Sequence, residues 1–311
     1  MKIMIMGTGG VGGYYGGLLA QQGNEVTFIA RGAHLFAIRQ DGLKVKSVHG
    51  DFTVNPANAT DDPAKVGPVD LILFCVKTYH TENAAQAILP AVGPQTVVMS
   101  LQNGIDAAER LGQVVGEGHV IGGATWLSSA VEEPGVIRQI SQFRRIVFGE
   151  FDGSLSERIQ SIDRVLKSTG ITVEVSENIW KVLWTKLVFI TAVSGVGSLT
   201  RLPMGEYRSV PETRILLTSI MREVESVARA QGVNLDENVV QNWMDFIDNA
   251  APTIKPSMQL DVEGGHRTEL NSMIGIVGKK GRELNVPTPV SDYVYASLLP
   301  VEWKARSERI T

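Results

Sequence analysis

Lys186 is a candidate proton donor because of the residue types around it. In a predicted helix, its neighbours one turn away are all apolar: Val182, Leu183, Phe189 and Ile190. An ammonium group among them costs free energy unless it is paired or lines a polar cleft, and burial lowers its pKa towards the range of a useful general acid. The alternative is a lysine whose aliphatic stem follows the apolar surface past Trp184 and whose charge reaches water.

Glu269 is the candidate carboxylate partner of such a lysine. Gly264 and Gly265 interrupt any helix before it, and Thr268 can cap the next one, so Glu269 falls in a first helical turn. The helix macrodipole alone also favours a carboxylate there, which is a purely structural explanation. Lys181 shares its predicted helix face with polar side chains, and this pattern indicates a solvated lysine.

The first seventeen residues carry a second candidate site, for a phosphate-bearing ligand. Lys2–Met6 predicts a strand, and three glycines with GxGxxG spacing follow it directly before a segment that can be helical. Such a turn lets the backbone approach a pyrophosphate, and the free N–H groups of the helix bind its charge. A turn that only needs positive φ is the alternative, but the order of strand, glycines and helix favours a dinucleotide site. The residues concerned are Gly7, Thr8, Gly9, Gly10, Val11 and Gly12.

Arg31 indicates which dinucleotide would bind. It follows the predicted strand Glu25–Ala30, where dinucleotide-binding folds usually place an acidic residue for the ribose 2′-hydroxyl. An arginine there favours a 2′-phosphate, and a charge-assisted hydrogen bond corresponds to roughly one to two decades of preference for NADPH over NADH. The alternative is a solvated loop arginine.

Two more polar residues follow predicted strands. Lys77 follows the apolar run Val69–Val76, and Asn103 follows Thr96–Leu101. Since ligands of open α/β sheets bind outside the carboxyl ends of the strands, these positions predict a shared cleft with the glycine turn. Taken alone, Lys77 is equally well explained as a solvated loop lysine.

The composition limits the classes of function. A net charge of −4 provides no basic surface for nucleic acid, and the five histidines show no metal-ligand spacing. The single cysteine, Cys75, lies in a predicted core strand and cannot form an internal disulfide, which indicates a reducing, cytoplasmic compartment. The chain starts with a strand, without a signal peptide, and has no clean apolar run of transmembrane length, so we expect no membrane association.

The pattern of elements changes near Val175, where strand-like runs end and long helical periods begin. At 311 residues the chain is long enough for two domains. We therefore predict an α/β fold, with an N-terminal Rossmann-type dinucleotide-binding domain over residues 1–175 and a C-terminal all-helical catalytic domain over 176–311. Ser176 can cap the first long helix, and exposed apolar positions on the later helices would permit a homodimer.

Segments spread over nearly the whole chain resemble the 2-dehydropantoate 2-reductases, also called ketopantoate reductases. They are GTGGVGGYYGGLLA, ARGAHLFAIRQDGL, CVKTY, LQNGID, IWKVLWTKL, and SMQLDVEGGHRTELNSMIG with the later NVPTP. The resemblance implies an oxidoreductase that acts on CH–OH groups and reduces the 2-oxo group of ketopantoate to pantoate with NADPH. That reaction belongs to pantothenate and coenzyme A biosynthesis.

The resemblance also implies roles for individual residues. Lys186 matches the family's catalytic lysine, and Glu269 matches the carboxylate that helps to hold the reacting oxygen. Asn103 and Ser257 match substrate contacts, and Asn103 is also placed near the cofactor. Lys77 matches a residue near cofactor and substrate, and the position of Arg31 matches the 2′-phosphate ligand.

Two positions depart from the family pattern. The family usually has asparagines four and eight residues after the catalytic lysine, where this chain has Ile190 and Ser194. Ser194 can still donate a hydrogen bond to the substrate, whereas Ile190 cannot, so we predict a more apolar pocket. A reductase of the same mechanism with a different 2-oxo acid, and a non-enzymatic NADPH-binding regulator, therefore stay open as alternatives. The retention of Lys186 on an apolar face argues against the regulator.

Overall fold

A computed structural model describes residues 1–307, which form two compact units. The first comprises Met1–Gln102 and Ala107–Ile179, and the second comprises Asn103–Asp106 and the chain from Trp180 onward. The division lies a few residues beyond the boundary predicted at 175. Ile179 still packs with the first unit, where a Cβ added to Gly122 would lie 2.6 Å from its side chain.

One sheet holds the strands of the first unit. Their order across the sheet is β4-β3-β9-β8-β7-β6-β1-β2-β5, and β10 pairs with β9. The run from β5 to β8 is parallel, while β3–β4 and β8–β9 are antiparallel. The strands are β1 Lys2–Met6, β2 Glu25–Ile29, β3 Leu43–Lys46, β4 Phe52–Val54, β5 Asn58–Thr60, β6 Leu71–Phe74, β7 Val97–Ser100, β8 Val120–Glu133, β9 Val136–Gly149 and β10 Thr172–Val175.

The carboxyl ends of four parallel strands lie at one level in this sheet. Met6 at the end of β1 pairs with both Ile29 and Phe74, and Phe74 pairs with Ser100. The segments that follow these strands, including the glycine turn, therefore start from the same edge. This is the edge at which the sequence analysis placed the ligand-binding residues.

Helices cover both faces of the parallel strands. Ile3 and Ile5 belong to the core on the face of α1, whereas Met4 and Met6 belong to the core on the face of α3 and α4. Burial on both faces explains the continuous apolar runs of these strands. The helices of this unit are α1 Gly10–Gln21, α2 Gly32–Asp41, α3 Thr81–Ile88, α4 Ala107–Val115 and α5 Glu157–Lys167.

The β8–β9 hairpin is longer than predicted. The sequence predicts strands near Val120–Trp126 and Arg145–Gly149, but each strand of the hairpin has 14 residues. The outer half was missed because it alternates poorly and exposes large apolar side chains, among them Ile140 and Phe143. This outer half lies against α1, where a Cβ added to Gly13 would stand 2.7 Å from Ile137.

The regular secondary structure of the second unit is all helical within the described residues, so the predicted combination of an α/β domain and a helical domain is confirmed. Among the described helices, α6 is the one long and apolar enough to span a membrane by composition, yet 67% of its apolar window is buried. The elements are α6 Ile179–Thr200, α7 Met204–Tyr207, α8 Pro211–Ala230, α9 Val239–Asn249, α10 Ser257–Glu263, a π-helix Asn271–Gly275, α11 Ile276–Leu284 and α12 Pro289–Ser307.

Candidate functional site

The glycine turn of the first unit has the shape that a pyrophosphate needs. Gly7 has a φ of +100°, and a Cβ there would lie 2.9 Å from Val76. A Cβ at Gly12 would lie 2.2 Å from the carbonyl oxygen of Gly7, so turn and helix pack as closely as backbone allows. A Cβ at Gly9 would meet nothing within 4 Å, and the turn is therefore open on that side. The residues present fit a dinucleotide phosphate.

The start of α1 has the electrostatics of an anion site. Its N-cap is Gly9, no side chain caps its free N–H groups, and no acidic residue lies in its first turn. The positive end of the helix dipole is thus available for a phosphate. The β8–β9 hairpin approaches this helix end from one side, since a Cβ at Gly10 would lie 2.3 Å from the carbonyl oxygen of Ser129.

A histidine that the sequence analysis did not select also supports the turn. His34 Nε2 donates to the carbonyl oxygen of Thr8 at 2.8 Å, and His34 Nδ1 accepts from the backbone N–H of Gly135 at 2.9 Å. Thr8 is buried, and both its N–H and its hydroxyl bond to the carbonyl oxygen of Ile29. In the sequence, only the position of His34 three residues after Arg31 could have pointed to this role, and that spacing does not indicate any particular chemistry.

Arg31 and Lys77 occupy the loops after β2 and β6. Arg31 is exposed and is the N-cap residue of α2, so its guanidinium group is accessible to a ligand at the edge of the sheet. Lys77 is half-buried and precedes the 3₁₀ turn Thr78–His80. Both positions fit the predicted contacts with a dinucleotide, which remain predictions.

Lys186, Asn103 and Glu269 come together within the second unit. Lys186 Nζ donates to Asn103 Oδ1 at 3.0 Å, and Asn103 Nδ2 lies 3.4 Å from Glu269 Oε2. These two partners orient the amide, because its oxygen faces the ammonium group and its nitrogen faces the carboxylate. Glu269 is only 6% exposed. The three side chains form a charged, hydrogen-bonded chain. Its members lie far apart in the sequence, so their spacing does not predict this arrangement.

Local backbone geometry explains how Asn103 reaches this position. Gly104 has a φ of +95°, and a Cβ there would lie 2.6 Å from the carbonyl oxygen of Ser272 in the π-helix. Ser272 also lies 3.4 Å from the carboxylate of Asp106. On the other side, Thr191 of α6 donates to the carbonyl oxygen of Met273 at 2.8 Å. The π-helix thereby connects the loop that carries Asn103 to the helix that carries Lys186.

The environment of Lys186 suits an acid that must release its proton near neutral pH. The side chain is half-buried along its length, and burial of its ammonium group lowers the pKa of Lys186 to about 8. The negative charge of Glu269 acts in the opposite direction and keeps the pKa from falling further. The ammonium form is therefore dominant at pH 7, and a small rise in pH removes its proton.

The remaining predicted substrate residues lie in different environments. Ile190, one turn after Lys186, is half-buried, and Ser257 is the exposed first residue of α10. Ser194 is fully buried, and its hydroxyl has no hydrogen-bond partner within residues 1–307. Its Cα lies about 12 Å along the helix axis from that of Lys186, whereas that of Ile190 lies only about 6 Å away. Of these two positions on α6, Ile190 is therefore the nearer to Lys186.

Two residues set aside in the sequence analysis have structural roles. Lys181 pairs with Asp236 at 2.6 Å, so it is held by an ion pair near the surface. Cys75 packs against the core of the first unit, and burial raises the pKa of its thiol to about 12. A thiol with that pKa is not a nucleophile at neutral pH.

Comparison with known proteins places the chain in a family. The ketopantoate reductase PanE/ApbA family model matches residues 3–153, and the model of its C-terminal domain matches residues 178–302. The chain belongs to the ketopantoate reductase family. Membership makes it an oxidoreductase of the class that acts on CH–OH groups with a nicotinamide dinucleotide.

Relatives of this ketopantoate reductase family member match over nearly their whole length. An uncharacterized oxidoreductase of Bacillus subtilis, YkpB, is 29% identical over 298 residues, which cover 96% of this chain and 98% of the relative. A 2-dehydropantoate 2-reductase of Halobacterium salinarum is 30% identical over 294 residues, covering 93% and 95%.

Solved structures of ketopantoate reductases have the same architecture. A PanE/ApbA family ketopantoate reductase from Ralstonia eutropha superposes with a TM-score of 0.91 and 31% identity, covering 98% of this chain and all of the other. A D-mandelate dehydrogenase in a ternary structure with NADH has a TM-score of 0.90 at 23% identity, covering 98% and 99%. The second likeness is one of fold.

Proposed function

We propose that this protein reduces the 2-oxo group of ketopantoate to pantoate with NADPH. The observation that carries the proposal is the hydrogen-bonded chain from Lys186 through Asn103 to Glu269. It supplies one proton donor of suitable pKa, held by a neutral amide and compensated by a buried carboxylate. Arg31 at the end of β2 supports NADPH as the dinucleotide.

The residues act on the oxygen of the ketone. When bound, the dinucleotide supplies a hydride to C2 of the oxo acid, and negative charge then develops on the carbonyl oxygen. Lys186 donates a hydrogen bond to that oxygen and then transfers its proton to the alkoxide, which yields the 2-hydroxy acid. Asn103 holds the ammonium group in place, and Glu269 holds the amide of Asn103. Ser257 is proposed to contact the substrate.

The direct test is turnover of ketopantoate. We expect the purified protein to oxidise NADPH in the presence of ketopantoate and to release pantoate, followed by absorbance at the nicotinamide band and by product analysis. Binding of NADPH without turnover of any 2-oxo acid in a panel would favour a regulator that uses the same fold. Turnover of another oxo acid in the panel, without ketopantoate, would reassign only the substrate.

The pH dependence of reduction is expected to report Lys186. Since reduction needs the ammonium form, kcat/KM should be constant below pH 8 and fall tenfold per pH unit well above it, because the pKa of Lys186 is about 8. Oxidation of the hydroxy acid needs the neutral amine and should show the opposite limb, rising up to about pH 8. Initial rates in both directions between pH 6 and 10 check this.

The conservative variant Lys186→Arg separates this titration from others. Arginine keeps its proton across the whole range, so any residual reduction by the variant should lack the alkaline limb. An unchanged limb near pH 8 in that variant would assign the titration to another group.

Ile190 favours a second candidate function, the reduction of an oxo acid with a fully apolar side chain. Ketopantoate and 3,3-dimethyl-2-oxobutanoate differ only in one hydroxyl group, so the pair isolates what the pocket does with that group. An isoleucine cannot hydrogen-bond the hydroxyl, and burying it unpaired lowers affinity. If Ile190 contacts this part of the substrate, the wild-type protein should prefer 3,3-dimethyl-2-oxobutanoate, which lacks the hydroxyl group.

Replacing Ile190 by asparagine is expected to shift that preference towards ketopantoate by about tenfold in the ratio of kcat/KM values, because one hydrogen bond to the hydroxyl becomes available. Ile190→Leu is the matched control and should leave the ratio unchanged. Steady-state rates with the two compounds at saturating NADPH give the ratio directly. A ratio that is the same in wild type, Ile190→Asn and Ile190→Leu would show that Ile190 does not line the pocket.

A further inference from the structure

His34 connects three segments around the glycine turn, and the reaction described above does not use it. It is the third residue of α2 and is half-buried. Through Nε2 it holds the carbonyl oxygen of Thr8 at 2.8 Å, and through Nδ1 it holds the N–H of Gly135 at 2.9 Å. Thr8 belongs to the glycine turn and Gly135 to the turn of the β8–β9 hairpin.

Only one form of the imidazole makes both bonds. A carbonyl oxygen can only accept, so Nε2 must carry a proton, and a backbone N–H can only donate, so Nδ1 must lack one. The partners therefore require the neutral Nε2–H tautomer. A second proton on Nδ1 would face the N–H of Gly135, which breaks that hydrogen bond and places two donors against each other.

The bond to Thr8 bears on phosphate binding through the geometry of one peptide group. In a trans peptide, the C=O of Thr8 and the N–H of Gly9 point in opposite directions within one plane. Holding the carbonyl oxygen towards His34 therefore aims the N–H of Gly9 away from it. Gly9 is the N-cap of α1 and has open space beside it.

The bond to Gly135 positions the hairpin that approaches the same helix end. Gly135 has a φ of +80°, and a Cβ there would lie 2.9 Å from Ala37 of α2. Its carbonyl oxygen accepts from the N–H of Lys44 at 2.9 Å, so both polar groups of this buried residue are engaged. The same hairpin contacts Gly10 through the carbonyl group of Ser129.

Burial is the main influence on the pKa of His34, and the charged groups near these segments are exposed or already paired. Arg31 caps the same helix and is exposed, and Glu133 is exposed before the hairpin turn. Glu132 is engaged by ion pairs with Lys46 and Arg138. Burial lowers the pKa of His34 from its usual value of 6.5, and the bond to the Thr8 carbonyl opposes this only in part.

We propose that neutral His34 is a positioning residue for dinucleotide binding, and that its protonation below about pH 6.5 loosens the glycine turn and weakens the affinity for the cofactor. The proposal rests on the proposed function in one respect, namely that the turn binds a dinucleotide. It adds a pH-dependent affinity that is set by a residue outside the turn.

The test compares wild type with His34→Gln by calorimetric titration with NADP⁺ between pH 4.5 and 7.5, a range that extends well below 6.5 because the pKa of His34 is lowered. Glutamine can still donate to the Thr8 carbonyl through its Nε2 and does not titrate in this range. The 2′-phosphate of NADP⁺ titrates near pH 6 itself, at about the second pKa of a phosphate, but it contributes equally to both proteins. We expect the dissociation constant of wild type to rise about tenfold more than that of His34→Gln over this range, the factor for one lost hydrogen bond.

Thermal unfolding of the unliganded proteins separates a general loss of structure from the proposed effect. Because the pKa of His34 is lowered in the folded chain, the unfolded chain takes up the proton first, and some stability is lost as the pH falls below 6.5. Affinities are therefore compared only where both proteins are folded. Parallel pH profiles of affinity in the two proteins would overturn the proposal, whereas a wild type that binds neither NADP⁺ nor NAD⁺ would refute the dinucleotide site itself.

Discussion

Replacing Lys186 by alanine is expected to lower kcat/KM for reduction of the 2-oxo acid by about 10²- to 10⁴-fold, the usual contribution of a positioned general acid. The change removes the hydrogen bond to the developing alkoxide and the proton that neutralises it. Binding of the dinucleotide should change far less than turnover, because the glycine turn proposed to hold its phosphates does not include Lys186. Steady-state rates and cofactor titrations measure the two effects separately.

Lys181→Ala is the matched control for that experiment. Lys181 lies on the same helix, but its ammonium group is held by Asp236 and is partly exposed. An exposed ion pair contributes little to stability, so this variant should keep nearly full activity. Equal turnover by wild type and Lys186→Ala, with Lys181→Ala also unchanged, would remove Lys186 from the mechanism and leave Glu269 without its proposed purpose.

Replacing Arg31 by alanine is expected to reduce the preference for NADPH over NADH by roughly ten- to a hundredfold, the value of a charge-assisted hydrogen bond to a phosphate. The loss should appear in the KM for NADPH, whereas the KM for NADH should change little because NADH has no 2′-phosphate. Comparison of the two cofactors at a fixed concentration of oxo acid measures the ratio.

Arg164→Ala controls for the general loss of a positive charge from the first unit. Arg164 lies near the end of α5 and is exposed, like Arg31, but it does not follow a strand at the ligand-binding edge. A similar loss of NADPH affinity in both variants would point to long-range electrostatics. An unchanged preference for NADPH over NADH in Arg31→Ala would mean that another group distinguishes the two cofactors or that the protein does not distinguish them.

The parts of the fold that could be predicted are those where one residue pattern has one physical explanation. The buried apolar run around β6 predicted a parallel strand, and the glycine spacing predicted the strand, turn and helix at the start of the chain. On α8 the pattern is only partly a guide: its helical period predicts Ile215 on one face with Ile220 and Val224, but Ile215 is 66% exposed. The buried stripe of α8 instead includes Leu217 and Met221, which shows that periodicity locates a helix better than it locates its face.

The candidate site could be predicted residue by residue but not as an arrangement. Lys186 could be predicted from its apolar neighbours, and Asn103 could be predicted separately from its position after a strand. Their hydrogen bond joins residues 83 positions apart, and its geometry depends on Gly104 and the π-helix, for which the sequence shows no distinct pattern. His34 was missed for a related reason, since its two partners are backbone groups and leave no trace in residue types.

The π-helix at Asn271–Gly275 determines which changes this region can tolerate. A π-helix corresponds to one residue inserted into an α-helix. Deleting a single residue there would restore regular helix and rotate the preceding segment by about 100° relative to α11, which would turn Glu269 away from Asn103. Among related chains, the number of residues between Glu269 and α11 should therefore vary less than the identities of those residues. An alignment gap in this interval would mark a protein that has lost the hydrogen-bonded chain from Lys186 to Glu269 or has rebuilt it with other residues.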